Sequence, residues 1–390
     1  MFQLATAELE KMGAEITTRE IKQQPELWEE AFQIYQQQQE EIRFFLEKVK
    51  ASADGKVRVV FTGAGTSQYV GDTLKPYLSK TGNSTSFIFE SLATTDIVAA
   101  PEEYLFADQT TLLVSFARSG NSPESIAAVE VANAYVKNIF HLTITCAKDG
   151  SLAKAAADDD RNLLLLMPSR SNDAGFAMTG SFSCMTLMGL LVFDQTAVET
   201  KAAYVRTLNR LGREVIDREA DIQQFLAGDY DRIVYLGSGS LAGLTREAQL
   251  KVLELTAGKV ATVFDSSMGF RHGPKSFIND KTLVFVFVNN DEYTRQYDLD
   301  ILEEVAGDKI APQVVGIGQA GKSNFSGKTF TFEQGEMLLP DGYLALADIV
   351  IGQTIALLTS VKVNNTPDTP SSTGTVNRVV KGVTIHEFSK

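Results

Sequence analysis

Two stretches of this 390-residue chain repeat one another. "VRVVFTGAGTSQYVGDTLKPYLS" (57–79) and "DRIVYLGSGSLAGLTREAQLKVLEL" (231–255) each pass from an apolar run through a glycine turn into a helical pattern, and Gly63 and Gly65 match Gly237 and Gly239 at an offset of 174. A second pair, "TLLVSFARSGNSPES" (111–125) and "TLVFVFVNNDEYTRQ" (282–296), matches at an offset of 171. Apolar strands that alternate with helical segments belong to a mostly parallel sheet covered on both faces. Two matches at nearly one offset imply a duplicated unit. The expected fold is therefore α/β, with two tandem doubly wound, flavodoxin-like lobes at 51–215 and 216–364. A helical N-terminal arm (1–50) precedes them, with Trp28, Phe32, Ile34, Tyr35, Ile42, Phe45 and Leu46 as its apolar stripe. A tail (365–390) follows, opening on turn-forming residues and ending in the alternating "VVKGVTIHEF".

The duplication is not complete. After the strand at 111–116 come Ala117, Arg118, Ser119, Gly120, Asn121 and Ser122, then Pro123 and Glu124; the second lobe has Val288, Asn289, Asn290 and Asp291 in the matching place. Ser122 followed by Pro123 and Glu124 reads as an N-cap, a first helical position and a first-turn acid. Free helix N–H groups together with the hydroxyls of Ser119, Ser122 and Ser125 make a cradle for a phosphate, and Gly120 permits close backbone approach. The same residues fit an ordinary capped turn. Thr66 and Ser67 stand at the end of a strand in the same lobe, where ligands bind in doubly wound sheets.

With 36 basic and 49 acidic residues, a net charge of −13 and no Lys/Arg run, the chain lacks a nucleic-acid footprint, so any anion must be held by local groups. Apolar stretches such as Phe182 to Phe193 fall short of a membrane span, and the N-terminus carries no apolar signal segment. Cys146 and Cys184 form no CxxC pair and read as free buried thiols of a reducing compartment. A cytoplasmic protein without nucleic-acid or membrane partners is expected. His272 has no second His, Cys or paired carboxylate at ligand spacing, so neither metal nor cofactor is expected.

"GAGTS", "SFARSGNSPES", "EAQLKVLEL", "FRHGP" and "VVKGVTIHE", in that order, resemble the double sugar isomerase (SIS) architecture of the synthase half of glucosamine-6-phosphate synthase. Nearly the whole chain, including "AGFAMTGSF", "GFRHGPKS" and "PDTPSSTGTVNRVV", is similar to the bacterial galactosamine-6-phosphate deaminase/isomerase group, also labelled tagatose-6-phosphate ketose/aldose isomerase. The resemblance implies sugar-phosphate contacts from Thr66 and Ser67 and phosphate-binding hydroxyls at Ser119 and Ser122. Ala117 and Arg118 depart from the synthase's polar pair, and the Arg118 guanidinium faces either the phosphate or solvent. The resemblance further implies Glu254 as the acid/base of isomerisation, His272 as the ring-opening residue reaching a neighbouring subunit's site, and Lys381 as a contact to the open-chain sugar. A homodimer or higher homo-oligomer follows from that role of His272.

The chemistry agrees with those residue types. Moving a proton between C1 and C2 on one face of an enediol or enolamine needs a single carboxylate. Glu247, Lys251 and Glu254 align along one helix face, a pattern that an unremarkable solvated charge stripe shares. The chain begins Met1-Phe2 and has only about 50 residues before the first lobe, without the glutaminase cysteine from which the synthase draws ammonia. Release of ammonia from galactosamine 6-phosphate to give tagatose 6-phosphate is the expected reaction. Isomerisation of a hexose 6-phosphate without nitrogen loss, or a non-catalytic sugar-phosphate regulator, are the alternatives. Glu254 and His272, and the lack of a helix-turn-helix module, favour an enzyme. His141 and His386 are read as structural.

Overall fold

The computed structural model describes every residue except Asp158, Glu336, Lys381, Ser389 and Lys390. Two five-stranded, all-parallel sheets are present. The first comprises β1 (Val57–Gly63), β2 (Phe87–Ala93), β3 (Thr111–Ala117), β4 (Ile139–Thr145) and β5 (Asn162–Leu166), in the order β2-β1-β3-β4-β5. The second comprises β6 (Arg232–Gly237), β7 (Ala261–Ser266), β8 (Thr282–Phe287), β9 (Gln313–Gln319) and β10 (Lys328–Phe332), in the order β10-β9-β8-β6-β7. Read by rank within each lobe, the two orders are the same, as the internal repeat requires. All seven residues of β1, β3 and β4 are buried, and the three strands are accordingly rich in apolar residues on both faces.

The repeated glycine turns have nearly the same geometry. Gly65 has φ 56° and ψ −128°, and Gly239 has φ 57° and ψ −128°, a region that a side chain would strain. A Cβ on Gly63 would lie 2.5 Å from the Ser67 carbonyl carbon, and one on Gly237 would lie 2.8 Å from the Leu241 carbonyl oxygen. Each glycine pair thus turns a strand sharply into a helix packed against it.

The chain divides into two compact units. The unit holding the first sheet is Leu27–Asp173, Gly180–Lys201 and Val376–Lys390. Most of the helix Gln24–Ala51 belongs to its core: Trp28, Phe32, Tyr35, Ile42 and Phe45 are buried, and the Trp28 indole N–H donates to Ser183 Oγ at 2.9 Å. Helix Gly180–Phe193 is buried at all its positions and carries no charge. Cys146 and Cys184 are both buried and free, in keeping with the sequence reading.

The unit holding the second sheet is Met1–Glu26, Ala174–Thr179 and Ala202–Thr375. Its central helix is Asp341–Lys362, 22 residues that are long and apolar enough to cross a membrane by length and composition alone. Asp348 and Gln353 interrupt its apolar run. In the structure 89% of its apolar window is buried inside the protein, which makes it a core helix.

Asp348 on that helix is fully buried, and neither carboxyl oxygen has a hydrogen-bond partner among the described residues. Burial, with a smaller effect from the Asp341 charge, pushes its pKa well above the ordinary value. The unfolded chain loses this proton near pH 4, whereas the folded chain keeps it. Above that pH the native state binds more protons, so stability falls as pH rises, by up to about 1.4 kcal/mol per pH unit, until the folded group also titrates. Asp348→Asn is expected to remove this slope and to raise Tm at pH 7. Urea midpoints that vary with pH identically in the two proteins would refute the assignment.

Candidate active site

In the first sheet the chain leaves β1 and β3 in opposite directions, so the crevice of this doubly wound sheet lies between their carboxyl ends. The register pairs Thr62 with Ser115 and brings the Gly63–Thr66 turn beside the Ala117–Ser122 loop. Helix Thr66–Thr81 starts at the first of these and helix Pro123–Tyr135 at the second, so two helix N-termini flank the crevice. Thr66 and Ser67 are buried in the first turn of their helix.

Ser122 occupies the N-cap position with extended backbone (φ −64°, ψ 130°), and Pro123 follows at the helix start, as the sequence predicts. Its hydroxyl makes no capping bond, however. The first-turn N–H groups of Ser125 and Ile126 are satisfied instead by the Ser122 carbonyl, at 3.0 and 3.2 Å. Ser119 Oγ accepts only a long bond, 3.3 Å, from the Asn121 N–H. Among the described residues, the Ser119 and Ser122 hydroxyls are therefore largely uncommitted. Ser119→Ala with Ser122→Ala is expected to raise KM for a sugar phosphate strongly, each charge-assisted bond contributing roughly 1.5–3 kcal/mol. With no cap bond to lose, Tm should stay near the wild-type value. Unchanged KM in the folded double variant would remove the loop from substrate binding.

The other loop residues have different tasks. Gly120 sits at φ 66°, a conformation that favours glycine. Asn121 Oδ1 accepts from the N–H and hydroxyl of Ser151, at 2.9 and 3.0 Å, and so holds the start of helix Ser151–Ala157. Arg118 does not face solvent: it is buried, and Nη2 donates to the Arg378 carbonyl at 2.6 Å. Arg378 in turn donates through Nε to the Asp173 carbonyl at 2.8 Å and through Nη2 to Asn172 Oδ1 at 3.0 Å. Beside the loop, a cavity of about 490 Å³ is lined by Ser119, Asn121, Lys148, Asn172 and Arg378 among others. Lys148 and Arg378 escaped the sequence reading. Lys148 carries one usable signal, its place just beyond a strand's carboxyl end; Arg378 carries none. Cys146 also lines the cavity, and burial pushes its thiol up to about 12, away from nucleophilic chemistry.

In the second-lobe unit, helix Ser240–Leu255 carries Glu247, Lys251 and Glu254 on one face, but the face is not a solvated stripe. Glu247 is fully buried and Lys251 is 1% exposed. The Lys251 ammonium lies 2.6 Å from Glu254 Oε2 and 3.3 Å from Glu247 Oε1. Burial alone would lower the Lys251 pKa; the two carboxylates outweigh it and hold the ammonium above its ordinary value. Glu254, 22% exposed along its side chain, is thus an accessible carboxylate with one oxygen anchored to a fixed cation.

His272 is exposed in the turn between two short 3₁₀ segments, Gly269–Arg271 and Pro274–Phe277. Its flanking cations pin this turn to helix Glu292–Asp308. Arg271 Nε bonds Glu304 at 2.6 Å, and Lys275 reaches both Glu304 and Asp308, at 2.5 and 2.6 Å. The imidazole is therefore presented outward on a braced loop. His141 is a core residue: its Nε2 pairs with Asn133 Oδ1 at 2.7 Å, and burial lowers its pKa to about 4. Lys381 lies outside the described residues. Among the described residues, no group of three or more His, Cys, Asp or Glu could hold a metal ion.

Known proteins share this architecture along its whole length. A family model described as the SIS domain matches residues 53–193. The chain is 42% identical over 375 residues to the D-galactosamine-6-phosphate deaminase AgaS of Escherichia coli, covering 95% of this chain and 96% of that protein. Its identity to the D-galactosamine-6-phosphate deaminase AgaS of a Shewanella species is 38% over 387 residues, covering 99% and 96%. A crystal structure of tagatose-6-phosphate ketose/aldose isomerase from Escherichia coli superposes with a TM-score of 0.88 at 38% identity, covering 99% of each chain. With the repeated sheets, the serine loop and the clamped glutamate all present, the chain belongs to the SIS-domain family of AgaS-type D-galactosamine-6-phosphate deaminases.

Proposed function

We propose that the protein converts D-galactosamine 6-phosphate and water to D-tagatose 6-phosphate and ammonia. The observation that carries this reading is the accessible Glu254 carboxylate held by a buried Lys251, in a chain alike over 95% of its length to a named deaminase. The first-lobe loop supplies Ser119 and Ser122 hydroxyls and helix N–H groups for the phosphate. His272 moves a proton in opening the pyranose ring, which exposes the C1 aldehyde and makes the C2 hydrogen acidic. Glu254 takes that proton and returns it to C1, which leaves a ketimine at C2. Water adds to the ketimine carbon, and the C2–N bond breaks to release ammonia and the ketose phosphate.

The deciding experiment offers the purified protein galactosamine, glucosamine and N-acetylgalactosamine 6-phosphates and measures free ammonia. Ammonia should appear fastest from the first. Ketose formed with no ammonia from any of them would replace deamination by simple isomerisation. We further propose that His272 serves a neighbouring subunit in a homodimer or larger homo-oligomer. Mixing inactive His272→Ala with inactive Glu254→Gln should then restore up to about a quarter of the sites, assuming random exchange in symmetric dimers. A mixture that stays inactive after demonstrated exchange rejects this sharing. The outward display of His272 supports it.

A further inference from the structure

We infer that the second lobe has a ligand site of its own, for a phosphorylated sugar, in the cavity at the carboxyl ends of β8, β9 and β10. Duplication accounts for its existence. The β3–β4 register pairs Ser115 with Thr143, and the β8–β9 register pairs Val286 with Gly316. Counted from those pairs, residues 146–150 of the first lobe fall on residues 319–323 of the second, and both stretches line a cavity. The fold has thus made the same hollow twice. In the first lobe it measures about 490 Å³ and Arg378 of the C-terminal segment forms part of its wall; in the second it measures about 890 Å³, within the range of small-molecule sites.

At the matching point of the second lobe the protein supplies its own anion. Its crevice between β6 and β8, the counterpart of the serine-loop crevice, is filled by the protein's own carboxylate. Asp298 is fully buried and accepts from the hydroxyls of Ser238 and Ser267, each at 2.6 Å, and from Asn289 Nδ2 at 2.7 Å. These are the donors that would otherwise receive an anion, so a ligand of this lobe is left the neighbouring cavity.

The chemistry of that cavity fits an anionic head on a hydroxylated body. Arg295 lines it and is only 6% exposed, yet its three hydrogen bonds go to neutral oxygens: the Ser323 and Asn289 carbonyls and Asn324 Oδ1, at 2.7, 2.9 and 2.8 Å. A guanidinium has five N–H groups, so two have no partner among the described residues. The two carboxylates whose fields favour its charge are engaged elsewhere, Asp298 as described and Asp341 with the N–H groups of Asn290 and Asp291. Gly321 lies against the guanidinium, where a Cβ would come within 2.7 Å of Nε. Asn290 donates through Nδ2 to Gln319 and to the Leu339 carbonyl, at 2.8 Å each, while its buried Oδ1 has no partner among the described residues. At the mouth, Tyr293 is 69% exposed and presents a ring for the apolar face of a sugar, and the Glu292 charge is balanced by Lys322 at 2.6 Å. Glu333, also at the wall, is an acceptor for further hydroxyls.

Galactitol 6-phosphate, which lacks a carbonyl and cannot turn over, is the probe, read by calorimetry on the full-length protein. Wild type should bind two molecules per chain, and Ser119→Ala with Ser122→Ala should leave one. Added to that double variant, Arg295→Gln or Ser323→Trp should weaken the remaining binding at least tenfold. Ser323 is exposed, so its variant blocks the mouth without disturbing the core and stays informative if Arg295→Gln fails to fold. Unphosphorylated galactitol should not bind at this site. One molecule per chain in the wild type overturns the inference, as does residual binding indifferent to Ser323→Trp. Loss of the first site's reading shows separately, as two-site binding that the serine substitutions leave unchanged.

Discussion

Glu254→Gln is expected to lower kcat by about 10² to 10⁴ while the affinity for a sugar phosphate stays near the wild-type value. Gln keeps the size of the side chain and an oxygen for Lys251, which lies 2.6 Å from the carboxylate, so the clamp persists and only basicity is lost. Lys251 also retains Glu247 at 3.3 Å, and the partly exposed position of Glu254 means that its replacement uncovers no buried charge. Tm should change little. The check is steady-state kinetics beside a binding isotherm for a non-reacting sugar phosphate. Turnover within a few-fold of wild type would take Glu254 out of proton transfer, and a parallel loss of affinity would recast it as a binding group.

Lys251→Met should be far more damaging to the fold. It removes the cation from a site where Glu247 is fully buried, and breaking a buried ion pair from one side typically costs about 3–5 kcal/mol because the other charge is left unpaired. Turnover should fall as well, because Glu254 loses the cation that anchors one oxygen and thereby orients the other. The two effects separate in a double variant. Glu247→Leu with Lys251→Met replaces the buried pair by apolar side chains and should recover most of the stability without recovering kcat. Urea denaturation and kcat for the single and double variants form the test. A double variant as unstable as Lys251→Met would show that the damage is lost packing, and one with restored turnover would show that Lys251 does not position Glu254.

Much of this protein can be read locally. Runs such as "VRVVFTG" and "TLLVSFA" are largely apolar on both faces because both faces of their strands are covered, and that condition leaves its mark on the sequence itself. Gly65 and Gly239 are equally legible, since only glycine adopts their backbone easily, and their spacing from Gly63 and Gly237 exposed the duplication. The position of the helix start at Ser122 and Pro123 is local in the same sense. These features follow from interactions within a few residues, and the sequence by itself determined them.

The tertiary structure decided what depends on distant partners. Glu247, Lys251 and Glu254 would show the same spacing on a solvated helix; they become a buried clamp because helix Asp341–Lys362 packs against theirs, closely enough that a Cβ on Gly352 would come within 3.1 Å of Ala248 Cβ and that Ser360 donates to the Leu255 carbonyl at 2.5 Å. Arg118 turns inward because a carbonyl 260 residues away lies within its reach. Spacing along a helix or strand tells which side chains share a face, but whether that face meets water, a core or a ligand is settled by elements far away in the chain, through burial and the pairing of charges that burial enforces.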